Sequence, residues 1–209
     1  PNLEKMLKLK PDLILGIQFF GEPIFSLLSQ IAPTVVGKWI GASSWREYFG
    51  FVARVLSKEA EAQQVWDSYN RRIAEIKAAL GDELHNMKIS TVYANSNGIH
   101  INATKSFAGS ILADVGIRRP KIYANLEDGK PLSEEAILDI DADILFVYSY
   151  NADSDKTLAN WEQKPLWNQL KAVQEGRVYI VNASIWKGLN PIAANLVLDD
   201  LYKYLVNTT

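Results

Sequence analysis

Cysteine is absent from the 209 residues of the chain. That excludes thiol catalysis, disulfides and zinc–cysteine sites. Histidine occurs only as His85 and His100, in unrelated contexts, so no histidine-rich metal site is expected. Long apolar runs are missing, and none approaches the length that spans a bilayer. No signal-peptide pattern opens the chain. Basic runs are also missing, and with a formal net charge of −2 nucleic-acid binding has no electrostatic support. No glycine-rich dinucleotide fingerprint, P-loop, nucleophile elbow or HExxH zinc motif occurs. Nothing nominates a nucleophile beside a base. The acidic pairs Asp199-Asp200 and Glu134-Glu135 lie in helical context and read as solvated faces rather than an acid/base couple. These absences point away from an enzyme.

What remains is an ordinary globular composition, 48% hydrophobic and 22% charged. The length suits one large domain or two small lobes. The most regular stretch is 57–80, with no proline and no internal glycine. Ala62, Val65, Tyr69, Ile73, Ile76 and Leu80 recur three or four apart, which places them on one helical face. Ser57 is the expected cap, Glu59 and Glu61 suit the positive end of the dipole, and Lys77 suits the negative end. Gly81 suits the left-handed position after the helix. At about 1.5 Å per residue the helix would be roughly 35 Å long. It lies between two stretches that alternate strand and helix. It reads either as a strut joining two α/β lobes or as one more crossover helix in a single domain.

Taken in order, residues 2–10 form a short amphipathic helix stopped by Pro11, and 12–16 a buried strand. Residues 18–21 form a loop, Pro23 opens a helix to Ile31, and 34–36 form a second strand. A loop rich in glycine and serine leads to a helix over 45–56. This first lobe is thin, two strands and a few helices, too little for an independent core. Past the long helix, 88–94 form a strand and Asn97-Gly98 a type I′ turn into a partner strand at 99–102. Further elements are a helix over 106–115, irregular chain over 117–132 and a helix capped by Ser133. A buried strand at 143–148, a polar loop over 149–163 and a helix over 165–173 come next. The chain ends with a strand at 177–181, a loop over 184–190 and a helix from Pro191 to about residue 205. The class is α/β, with mostly parallel strands expected.

In open α/β sheets, ligands bind beyond the carboxyl ends of strands. Gln18, Phe19, Phe20 and then Trp39 fall just past the strands of the first lobe. Asn95, Tyr148, Tyr150, Asn151 and Trp186 fall past those of the second. Two aromatic rims would make a cleft for a bulky, partly apolar small ligand. The same aromatics could instead merely cover the sheets.

The run PNLEKMLKLKPDLIL, then a loop, a short helix and IAPTVV, resembles the first lobe of a known family. This is the family of periplasmic substrate-binding proteins of ABC importers for iron-siderophores, haem and cobalamin. PLSEEAILDIDADILFV, then PLWNQLKAVQEGRVYIV, the Trp of ASIW and a C-terminal helix resemble its second lobe. Order and spacing match over nearly the whole chain. The resemblance implies two lobes of mostly parallel sheet flanked by helices and joined by one long helix, with the first lobe incomplete. The divisions would be 1–56, a helix over 57–81, and 82–209.

The resemblance also implies function. The chain would be the solute-binding component of an ABC importer, capturing a ferric siderophore between the lobes and delivering it to the membrane permease. No catalytic residue and no cofactor is expected. The siderophore fills the coordination sphere of iron, so no metal ligand from the protein is expected either. Phe20 and Trp186 fall where the ferric hydroxamate binders of the family face their ligand, with Phe20 where that relative has Tyr. A second Trp of that relative has no counterpart among residues 123–130. Stacking is expected from Phe20, Trp39, Tyr93, Tyr148, Tyr150 and Trp186, and polar contacts from Gln18 and Asn95. Arg118 or Arg119 could offer a positive contact to an anionic chelate, or lie exposed.

The family docks on permease arginines through one carboxylate per lobe. Those carboxylates match Glu4, in Asn2-Leu3-Glu4, and Glu135, in Ser133-Glu134-Glu135. The family's opening strands and first helix are expected upstream of Pro1, with a secretion signal and often a lipid-bearing cysteine. The full-length form is thus expected in the periplasm or anchored to the membrane. An unpaired sheet edge in the first lobe would promote self-association. Cobalamin or haem in the same role, a small-molecule-modifying α/β enzyme, and a structural module without ligand are the alternatives.

Overall fold

The computed structural model describes residues 2–124, 126 and 129–206. Asn125, Glu127 and Asp128, within the stretch expected to be irregular, lie outside the described residues. The chain divides into two compact units, Pro1–Trp66 and Asp67–Thr209.

In the first unit, helix α1 (Leu3–Leu9) is capped by Asn2, whose side chain accepts from the Lys5 N–H at 2.9 Å. It ends at Lys10 in a left-handed conformation before Pro11. Strand β1 (Ile14–Ile17) pairs in parallel with β2 (Thr34–Gly37). Between them residues 18–21, expected as loop, form one helical turn, α2 (Gln18–Gly21), which runs through a 3-10 turn into α3 (Phe25–Ser29). Pro23 suits that 3-10 turn because its missing N–H has no partner there anyway. The core is small: Ile14, Leu28 and Ala32, with Leu3, Met6, Ile24 and Ile31 against them. Phe19, Phe20, Leu9 and Ile40 stay exposed. Helix α4 (Trp45–Val55) completes the unit with the start of α5 (Glu59–Leu80). There Trp66 meets Trp45 and Phe49, each at 5.6 Å between ring centroids.

Ser57 does not cap α5. Its φ of 54° and its N–H, bonded to the Arg54 carbonyl, make it the stop of α4 instead. The predicted apolar face is the buried face, from Ala62 through Tyr69, Ile73, Ile76 and Leu80. Gly81 takes the left-handed position. The division between units falls inside α5, after Trp66, because its later turns are tied into the second unit. The Tyr69 hydroxyl donates to Asp114 at 2.8 Å. Arg72 bonds the Asn195 carbonyl at 3.0 Å and pairs with Asp199.

The second unit holds a five-stranded sheet. Its strands are β3 (Ile89–Asn95), β4 (Gly98–Ile101), β5 (Lys130–Pro131), β6 (Ile144–Ser149) and β7 (Val178–Asn182), in the order β5-β4-β3-β6-β7. β3, β6 and β7 are parallel, while β4 runs antiparallel to both of its neighbours, β3 and β5, so the sheet is mostly parallel, as expected, and mixed only through β4. The hairpin turn is Ser96-Asn97, not Asn97-Gly98. Asn95 pairs with Gly98, and the Asn95 side chain accepts from the Asn97 N–H at 2.8 Å. Asn97 keeps a negative φ, which rules out type I′.

Among the described residues four α-helices follow α5 before the C-terminal segment. They are α6 (Glu83–Asn86), α7 (Phe107–Val115), α8 (Ala152–Glu162) and α9 (Lys171–Gln174). Helix α8 lies where a polar loop was expected. Asn151 caps it by accepting from the N–H groups of Asp153 and Ser154, and Ser154, Leu158 and Trp161 form a buried stripe. The residues after Ser133 form a 3-10 helix, Glu134–Ile140, and Ser133 makes no cap bond to it. Two further helices, α10 (Ala183–Trp186) and α11 (Pro191–Leu201), follow β7. Alternation sorts the sheet residues into two buried faces. Val92, Ala94, Ile99, Ile101, Leu145 and Val147 pack with Leu158, Trp161 and Trp167. Thr91, Tyr93, Phe146 and Tyr148 lie on the opposite face, where Trp186 meets Phe146 and Tyr148.

Candidate functional site

Because β3, β6 and β7 are parallel, their carboxyl ends share one edge of the sheet of the second unit. Tyr93 sits near that edge, level with Tyr148 on one side and His100 on the other. Its ring stacks on His100 at 4.9 Å and on Tyr148 at 5.9 Å. Tyr150 follows the end of β6, and Lys187 follows α10, itself started by the Asn182 cap at the end of β7. The Lys187 Nζ lies 4.1 Å from the Tyr93 ring centroid and 5.5 Å from that of Tyr150. A cation held over two ring faces is favoured by the ring quadrupoles. Burial holds the Lys187 amine below its usual value and pushes the Tyr93 and Tyr150 hydroxyls up. Burial, then the charge of Lys187, lowers His100, which is therefore neutral at pH 7.

Behind this row lies a second polar layer. Arg119 donates to the Thr91 hydroxyl at 2.7 Å and to the Asn102 carbonyl at 3.4 Å, and stacks on the Tyr123 ring at 3.7 Å. The Asn102 side-chain amide donates to the Tyr148 hydroxyl. Two buried nitrogens here, His100 Nε2 and Arg119 Nε, have no hydrogen-bond partner. Lys187 and Arg119 form no ion pair among the described residues. Lys187 beside the unsatisfied His100 imidazole, with no ion-pair partner for Lys187 among the described residues, can take up an anion with hydrogen-bond acceptors and aromatic surface.

The structure brings Tyr93, Asn95 and Tyr150 to this edge, Tyr150 half exposed. It corrects the reading of Trp186 and Tyr148 as ligand-facing. Their exposures are 0% and 1%, and both rings are spent on packing. The Trp186 indole N–H donates to Asp200 at 2.8 Å, a bond internal to the fold. Arg119 rather than Arg118 is the inward arginine. Arg118 is exposed and donates to the His85 carbonyl at 3.0 Å. Sequence reasoning missed Lys187 and His100. The signals were present: Lys187 is a base just past a strand's carboxyl end, and alternation in β4 turns His100 away from Ile99 and Ile101.

In the first unit Phe19 and Phe20 are 75% and 65% exposed and meet edge to face at 5.0 Å. The Gln18 amide donates to Glu22 at 3.0 Å. Trp39 is half-buried, edge-on to Tyr48 at 5.5 Å. Glu4 and Glu135 are both exposed. Among the described residues no group of three or more His, Asp or Glu could hold a metal ion, and no helix is long and apolar enough to cross a membrane.

A family model described as periplasmic binding protein matches residues 1–184. The "Probable siderophore-binding lipoprotein YfiY" of Bacillus subtilis is 34% identical, over 100% of this chain and 67% of its own length. The "Fe(3+)-citrate-binding protein YfmC" of the same organism is 33% identical, over 89% of this chain and 58% of its own. Among solved structures, Staphylococcus aureus SirA complexed with staphyloferrin B superposes with a TM-score of 0.84 at 28% identity, covering 98% of this chain and 75% of that one. Bacillus subtilis FeuA, complexed with ferri-bacillibactin, superposes with a TM-score of 0.80 at 26% identity, covering 99% and 75%. The chain spans roughly three fifths to two thirds of the length of the curated relatives it matches. The match over most of its length and the shared fold make this chain a member of the periplasmic binding protein family.

Proposed function

We propose that this chain is the solute-binding part of an ABC importer and that it captures an anionic ferric siderophore for delivery to the membrane permease. The observation that carries the reading is Lys187, held over Tyr93 and Tyr150 with no acidic partner among the described residues. A half-buried ammonium above aromatic faces but without an anionic partner is only partly compensated, and a chelate that is both anionic and aromatic or carboxylate-rich completes it. The relatives' names, siderophore-binding and ferric-citrate-binding, support the same class. The protein holds and releases its cargo without chemistry on it, and the siderophore rather than the protein ligates the iron.

Tyr93, Asn95, His100, Tyr150 and Lys187 are the contacts proposed in the second unit. Gln18, Phe19, Phe20 and Trp39 are those proposed in the first. Glu4 and Glu135 are the carboxylates that meet permease arginines. The protein works outside the cytoplasmic membrane, in the periplasm or tethered as a lipoprotein.

The test is a tryptophan-fluorescence titration with ferric citrate, a ferric catecholate, a ferric hydroxamate, haem and cobalamin, each iron chelate also in its iron-free form. Saturable quenching by an anionic ferric chelate is expected. Lys187→Gln should weaken it by about 10- to 100-fold, the effect of removing a charge-assisted contact. Tight binding of cobalamin alone, or unchanged affinity in the variant, would refute the assignment.

A further inference from the structure

Ser133-Glu134-Glu135 offers two adjacent carboxylates where docking uses one. Sequence alone separates them only by position. In the structure they begin a 3-10 helix, in which successive side chains leave the axis about a third of a turn apart. The Glu134 carboxylate meets the Lys164 Nζ at 2.7 Å. Lys164 is held in place: its N–H donates to the Trp161 carbonyl at 3.0 Å, and its own carbonyl accepts from Trp167 and Asn168. Its side chain is only 30% exposed. The Glu135 carboxylate is exposed, and its own backbone N–H and the Ser133 hydroxyl hold it below the usual carboxylate range. Among the described residues Glu135 has no cationic partner.

We propose that Lys164 is a positioning residue for docking: it occupies Glu134 and so leaves Glu135 as the single free, oriented carboxylate for a guanidinium of the permease. This rests on the permease-docking reading above. One free carboxylate in place of two fixes the register of the contact. An unpaired Glu134 would offer the partner a second anion, one residue away and aimed elsewhere.

The experiment uses the full-length protein and its importer, reconstituted in nanodiscs, with ATPase stimulation titrated against binding protein. Glu135→Gln should raise the half-stimulating concentration by about tenfold, as for a lost contact between charges. Glu134→Gln should change it by less than about twofold, because that carboxylate is already taken. The double variant Glu135→Gln/Lys164→Gln should recover about threefold or more, since the released Glu134 substitutes for the missing acid. Siderophore affinity should be the same in all four proteins, a check that a merely unfolded variant would not pass. If Glu135→Gln has no effect, docking through Glu135 is wrong and the proposal falls with it. If Glu135→Gln is impaired but the double variant does not recover, or Glu134→Gln is impaired equally, the role of Lys164 alone is overturned.

Discussion

The two units treat the same kind of residue in opposite ways. Phe19 and Phe20 of the first follow β1 and stand in solvent, on a sheet of two strands. Tyr148 and Trp186 of the second lie at or after β6 and β7 and are sealed, because their sheet has five strands and helices to close over them. Position relative to a strand end is therefore not enough to make an aromatic residue a ligand contact. What decides is whether the unit has enough structure to cover it. Trp186 carries a second mark of a core residue, an internal acceptor for its N–H in Asp200. The carboxyl of Asp200 is itself raised by burial against the opposing bond from Trp186.

The contrast can be broken most directly by truncating one aromatic from each unit. Trp186→Ala should destabilise the second unit by about 3–5 kcal/mol, since it opens a cavity among Phe146 and Tyr148 and strands the Asp200 carboxylate. Phe20→Ala should change stability by less than about 0.5 kcal/mol. Urea denaturation followed by circular dichroism checks both, and equal effects would erase the distinction. Next in size is association. The exposed Phe19, Phe20, Leu9 and Ile40 and the open edges of β1 and β2 predict self-association of this chain. Light scattering across a concentration series should show growth in mass, and Phe19→Ser/Phe20→Ser should reduce it by an amount on the order of 1.5–3 kcal/mol per buried ring.

A smaller effect than that of Trp186 sharpens the account of the second unit. Asp143 accepts from the Lys88 N–H at 2.8 Å and pairs with Lys171 at 2.6 Å, stitching the start of β3 to α9. Burial pushes its carboxyl up, but the bonds from Lys171 and Lys88 and the charges of Lys171 and Arg177 outweigh it, so the net shift is downward. A carboxyl lowered in the folded state stabilises above its unfolded value and loses that contribution as pH falls through the folded one. Asp143→Asn should thus cost about 1 kcal/mol at pH 7 and almost nothing below the carboxylate range, as read from thermal melts at the two pH values.

Much of the fold was legible in the chain. The period of α5, the stop at Gly81 and the apolar runs of β3 and β6 are local signals, and the structure uses each of them. Helix α8 was hidden because its charged first turn looks like loop and its buried stripe, Ser154, Leu158 and Trp161, starts with a serine. The candidate site was half legible. Asn95 and Tyr150 could be placed at the sheet edge from the strand ends alone.

By itself the sequence determined the α/β class, the family resemblance, the long helix and which residues end strands, because these depend on local spacing and on residues within a few positions of one another. Only the tertiary structure decided that Lys187 lies over Tyr93, that His100 stacks beside it, that Arg119 turns inward and that Trp186 is sealed. Each of those facts depends on strand register and on which helix covers which face. Register and coverage are set by residues dozens of positions apart, whose meeting leaves no periodic trace in the chain.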